Sequence, residues 1–163
     1  MFDVLVYVYE HFWRGDACPE LPLLSRKLSA AGFEADEIQQ ALDWLAGLSL
    51  ASNHTQWIDV SETAQTVHEP RSASAQSMRV YTFAEQQQLG ADCLGFLQFL
   101  EDAGKLSTQM REVVIDRAMA VSYQPVTLDD LKIIVLMVYW SVGLEPDALI
   151  LDELCDAPDR VAH

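Results

Sequence analysis

The stretch TLDDLKIIVLMVYW, residues 127–140, decides the fold. Ile133 to Trp140 is an unbroken apolar run of eight residues. A membrane span takes about 20 residues, so the run reads as a helix buried in a soluble core. Thr127 stands in front of it, with Asp129 and Asp130 in the expected first turn. A threonine oxygen there can accept from a free backbone N–H, and negative charge suits the positive end of the helix dipole. A helix that is apolar on nearly all sides must be enclosed by other helices. Residues 128–140 are therefore expected at the centre of a C-terminal helical unit.

Upstream of this run, the pattern remains helical as far back as residue 83. Thr82 followed by Glu85 has the spacing of a capping box, predicting a helix from Phe83. That helix should break at Gly90, resume with Leu94, Phe96, Leu97, Phe99 and Leu100 as apolar positions, and stop at Gly104. Ser107 or Thr108 caps the next helix, MREVVIDRAMAV, which Pro125 closes off. The central helix should pack above all on the Leu94–Leu100 helix. Glu145 to Leu154 reads as a last short helix, followed by a frayed tail.

Residues 2–13, FDVLVYVYEHFW, place Phe2, Leu5, Val6, Tyr9 and Trp13 at helical spacing. Alternating valines at 4, 6 and 8 also suit a strand, but length and the pair Glu10-His11 favour a helix, with Gly15 as its stop. After a loop from Asp16 to Pro22, Leu23–Ala31 forms a second helix ending at Gly32. Glu34–Leu48 forms a third, with Ile38, Ala41, Leu42, Leu45 and Leu48 on one face and closure near Gly47. The region 51–82 is polar. Within it, Gln56–Val60 and Met78–Thr82 are rich in β-formers and could pair as a two-stranded ribbon. The 17 residues between them would be a long loop. The expected fold is thus mainly α: an N-terminal three-helix unit (1–50), a polar segment with a β ribbon (51–82), and a C-terminal helical unit (83–163). Three helices followed by a ribbon is also the order of elements in a winged-helix fold.

Five segments carry a resemblance to a known family. They are MFDVLVYVYEHF (1–12), AGFEADEIQQALDWL (31–45), SMRVYTFAEQQQL (77–89), GFLQFLEDAGKLSTQMREVVIDRAMAV (95–121) and LDDLKIIVLMVYW (128–140). Together and in this order they resemble the Smg proteins of bacteria over almost the whole chain. The resemblance implies a stand-alone cytoplasmic protein of a family whose function is unknown. Some of its members carry a magnesium-chelatase label, but this sequence has neither a GxxxxGK[ST] loop nor a DxSxS motif to support one.

Charge narrows the function further. The chain has 10 basic and 25 acidic residues, a net charge of −15. Such a field repels phosphate backbones and anionic headgroups. The expected third helix offers Glu34, Asp36, Glu37, Gln39, Gln40 and Asp43 and no cation, so entry into a DNA groove is rejected. Cys18, Cys93 and Cys155 are odd in number and widely spaced, which indicates neither a disulfide framework nor a zinc knuckle. His11, His54, His68 and His163 include no i, i+4 pair. A nucleophile from Cys18 with His11 would need a third, orienting group that the sequence does not supply. Asp129-Asp130 and Glu101-Asp102 could offer carboxylates to Mg²⁺. The helix dipole alone explains the first pair. The second sits at an unfavourable helix end and is the more interesting of the two. Arg111, Glu112, Asp116 and Arg117 look like an ordinary solvated helix face.

No catalytic, cofactor or metal site is expected. On a strand, Arg79 and Tyr81 would share one face and Val80 the other. The pair could anchor an interface, or Tyr81 could lie over the core with Arg79 at its rim. The candidate interaction surface comprises Arg79, Tyr81, Glu34, Asp36, Glu37 and Gln40. The reading that follows is a non-catalytic helical interaction module or adaptor with a protein partner. A winged-helix-like nucleic-acid factor and a small enzyme with an unrecognised site are the alternatives. Neither nucleic acid nor membrane is expected as a direct partner.

Overall fold

The computed structural model describes residues 1–12, 21–60, 79–121, 125–144 and 146, with residues 53–60 in backbone only. Six helices run along them: α1 (Phe2–Phe12), α2 (Leu21–Ala31), α3 (Ala35–Val60), α4 (Phe83–Asp102), α5 (Thr108–Met119) and α6 (Leu128–Ser141). The mainly α expectation holds, and no strand occurs among the described residues.

The apolar run is the centre of the fold. Leu131 to Tyr139 are buried without a break along α6. Burying one such apolar side chain contributes about 1.5–3 kcal/mol, so this helix orders the elements around it. It lies most extensively against α5 and α1, less against α3, and least against α4, the neighbour expected to lead. The buried side chains of all six helices form one contiguous cluster, from Val4 to Tyr139. Even Lys132 is buried on α6, its ammonium 5.8 Å from the Phe96 ring centroid. Its aliphatic stem can lie along apolar surface while the charge meets an aromatic face.

The predicted caps form. Glu85 N–H donates to Thr82 Oγ1 at 3.3 Å, and Thr82 N–H donates to Glu85 Oε2 at 2.7 Å. Thr127 and Asp130 exchange the same two bonds at the start of α6. Ser107, rather than Thr108, caps α5. The break at Gly90 is real: with φ 67° and ψ 174°, it kinks α4 through a conformation that only glycine adopts cheaply. The Gln88 carbonyl just ahead of the kink accepts from Val126 N–H at 2.8 Å. The Gln88 side chain donates to Val121 O at 2.8 Å, so both ends of the α5–α6 connection are held at the bend.

Several expectations need correction. The β ribbon does not form: residues 56–60 continue α3, and residues 79–82 are unpaired. Residues 51–60 contain no Gly or Pro to end the helix, and α3 packs against α6. Buried Ser52 marks that packing, its Oγ 2.7 Å from Ser141 Oγ on α6. Without the ribbon, the winged-helix order loses its wing. Gly47 is not a stop either. A Cβ there would stand 1.9 Å from Arg117 Nη1, so this glycine admits α5 to close contact. α2 begins at Leu21, with Pro22 in its first turn, where a missing N–H costs nothing. On α1 the fully buried residues are Val4, Leu5 and Val8, while Phe2, Val6 and Tyr9 are only partly covered. The expected loop at 61–77 and the helix Glu145–Leu154, apart from residue 146, lie outside the described residues.

Candidate functional site

The segment 79–82 joins the chain to α4. Arg79 and Tyr81 do share one side of it, as alternation predicts: the Arg79 guanidinium stacks 4.7 Å from the Tyr81 ring centroid. That side faces inward. Tyr81 packs against the core cluster, and its hydroxyl is buried with no hydrogen-bond partner. Arg79 donates through Nε and Nη2 to Glu112 at 2.7 and 2.9 Å, and through Nη2 and Nη1 to Glu85 at 2.9 and 3.2 Å. Of the two readings of this pair, the structure matches a tyrosine over the core with the arginine at its rim.

The same carboxylate carries a second arginine. Arg111 Nε and Nη2 donate to Glu112 Oε1 at 3.1 and 3.0 Å, and Arg111 Nη1 lies 2.6 Å from both oxygens of Glu101. Glu85, Arg79, Glu112, Arg111 and Glu101 therefore form one chain of alternating charge. It ties both ends of α4 to the first turns of α5. Arg111 is only 8% exposed, so the expectation of an ordinary solvated face is corrected here. The network also accounts for Glu101 at an unfavourable helix end, since Arg111 neutralises it.

Electrostatics follow from these contacts. The hydrogen bonds from Arg79 hold the Glu85 carboxyl down at about 2, against the upward push of burial. Burial also pushes Glu112 up, but bonds from Arg79 and Arg111 outweigh it and its value lies below the ordinary range. Both arginines are raised: Arg79 by its bonds to Glu85 and Glu112, Arg111 by its bonds to Glu101 and Glu112 against an opposing burial effect. Burial raises Tyr81, which stays neutral at pH 7. Every charged group is engaged by an opposite one, so the network is suited to holding a shape rather than to moving protons.

What this frame holds outward is apolar. Val80 is 86% exposed and Phe83 74% exposed, the most exposed large hydrophobic side chains among the described residues. Both were missed as site residues. For Val80 the available signal was the alternation: if Arg79 and Tyr81 turn inward, Val80 must turn outward. Alternation alone would put Phe83 on the Arg79 side, but the extended segment ends there and α4 begins.

The other candidates lie elsewhere. Glu34 and Asp36 are exposed at the start of α3, and Glu37 lies 3.6 Å from the α-amino group of Met1. Gln40 lines a shallow groove of about 240 Å³ with Asp43, Trp44 and Arg117. His11 stacks on Tyr7 at 3.9 Å and its Nδ1 donates to the Tyr7 carbonyl at 2.9 Å. Cys18 lies outside the described residues. Of the paired acids, Asp130 serves the α6 cap, Glu101 binds Arg111, and Asp102 accepts from Gln98 at 2.9 Å. Among the described residues, no three His, Cys, Asp or Glu are grouped to hold a metal, and no helix is long and apolar enough to cross a membrane.

Comparison with known proteins agrees with the resemblance seen in the sequence. Residues 1–163 match a family described as "Protein of unknown function (DUF494)". Relatives named "Protein Smg homolog" include those of Methylibium petroleiphilum, 54% identical, and Leptothrix cholodnii, 53% identical. That of Herminiimonas arsenicoxydans is 45% identical, and all three align over 100% of both chains. No solved structure matches. Identity at this level over the full length makes the chain a member of the DUF494 family of Smg homologues.

Proposed function

We propose that this protein is a cytoplasmic, non-catalytic helical interaction module that binds a protein partner through the 79–83 segment. One observation carries the reading: Val80 and Phe83 are displayed to solvent from a backbone held by the Arg79 ion pairs, by Tyr81 in the core, and by the Thr82 cap. Exposed apolar side chains on a mobile segment would lose entropy on binding. On a segment already fixed, that cost is largely met in the free protein, which favours contact. An aromatic anchor at the centre of such a patch is the usual seat of interface energy. A nucleic-acid role through α3 is disfavoured, since Asp36, Glu37 and Asp43 would face phosphate.

The test is affinity capture from bacterial lysate at low and moderate salt, with the wild type and Phe83→Gln compared by mass spectrometry. A protein retained by the wild type and lost by the variant is the expected result. Identical protein profiles for both would overturn the reading. Nucleic acid retained after nuclease controls would replace it with the nucleic-acid alternative.

A further inference from the structure

Resting on that reading, we infer that the partner segment seated on Val80 and Phe83 is a basic amphipathic helix. The charges along α5, which the Arg79–Glu112 pair joins to this segment, are unevenly displayed. Side chains of Glu112 and Asp116 are 47% and 59% exposed, while those of Arg79, Arg111 and Arg117 are 20%, 10% and 14% exposed. Glu85 and Glu101 are turned in with the arginines, at 14% and 22%, so the charge an approaching molecule meets on α5 is the carboxylate of Glu112 and Asp116. Glu112 and Asp116 lie four residues apart on α5, one helical turn, and Arg117 binds Asp116 through Oδ2. Lysines or arginines spaced i, i+4 on a partner helix would match that separation. The apolar stripe of the same helix would cover Val80 and Phe83, as apolar faces of helices do in grooves and on patches elsewhere.

Charge also decides among occupants. A net charge of −15 opposes a second copy of this chain, an anionic lipid surface and a nucleic acid alike. It steers a cationic partner inward.

The probe is a labelled helical peptide of about 18 residues, five turns, with a leucine stripe flanked by lysines at i, i+4. Its controls are the same peptide with glutamates for the lysines, and a scrambled peptide of equal charge without the stripe. Fluorescence anisotropy with the full chain should show binding of the lysine peptide alone. Affinity should fall about tenfold in Phe83→Gln, a change of about 1.4 kcal/mol, and severalfold in Asp116→Asn or at raised salt. Circular dichroism checks that both variants stay folded.

Equal binding of the scrambled or glutamate peptide would overturn the inference, as would unchanged affinity in Phe83→Gln or no binding of the lysine peptide. So would a wild-type dimer in light scattering that Phe83→Gln abolishes, because the occupant would then be a second copy. A captured protein that depends on Phe83 but ignores salt would leave the interaction reading standing and remove only its basic character.

Discussion

Arg79 and Glu112 form a two-pronged ion pair across 33 residues of chain, with Nε and Nη2 at 2.7 and 2.9 Å from the two carboxylate oxygens. Since Glu112 also receives Arg111, this one carboxylate joins the entry of α4, the exit of α4 and the start of α5. Removing Arg79 leaves Glu85 and Glu112 without it. Glu112 is nearly half exposed and water will compensate part of the loss. Arg79→Ala should therefore destabilise the protein by about 1–2 kcal/mol, read from urea denaturation. Arg79→Lys should fall between the two, because one ammonium cannot serve two carboxylates in the way a planar fork does. Equal stability of all three proteins would show that the network contributes nothing to the fold.

The same pairs predict an acid limb. Glu85 is held at about 2 against an ordinary 4.5, and Glu112 is also lowered. Between those values the unfolded chain binds more protons than the folded one, so this contribution is present above about pH 4.5 and is lost as pH falls toward 2. Stability of the wild type should drop steeply over that window. In Arg79→Ala the drop should be shallower, and parallel pH curves for the two proteins would contradict the assignment.

Gly47 and Arg117 should be coupled. An alanine at 47 gains helix propensity of about 1 kcal/mol but collides with the Arg117 guanidinium, which must swing away from its place over α3. In the wild type, Gly47→Ala should be close to neutral. In an Arg117→Ala background the collision is gone, and the same change should stabilise by about 0.5–1 kcal/mol. A double-mutant cycle by chemical denaturation measures the difference, and additivity within error would rule the contact out.

Val135 is fully buried on the central helix. Val135→Asp puts a charge with no partner into the one core shared by all six helices. The cost, several kcal/mol, is a large share of a typical domain's total stability. The variant should lose cooperative thermal unfolding as a whole, seen by circular dichroism. A helical variant melting at the wild-type temperature would contradict the place given to α6.

The sequence was readable where local chemistry decides structure. Thr82 with Glu85, Ser107, Thr127 with Asp130, and Gly90 each act on neighbours within four residues, and each is where spacing predicted. It was misleading where distant partners decide. Gly47 looked like a stop because the cause of its small size, Arg117, lies 70 positions away. Trp57, Ile58 and Val60 looked like a strand by composition, but their backbone continues a helix that begins far upstream at Ala35. Arg111 looked solvated because its partner Glu101 is on another helix. For the 79–83 segment, alternation was legible and direction was not: which side faces in depends on Glu112, 33 residues from Arg79.

In the proposed function, Val80 and Phe83 form the contact surface. A photo-crosslinking amino acid placed at position 83 in living bacteria tests it most directly, with exposed position 98, farther along α4, as the control. A discrete adduct with one protein from position 83 and none from position 98 is expected. The same adducts from both positions, or none from either, would contradict it.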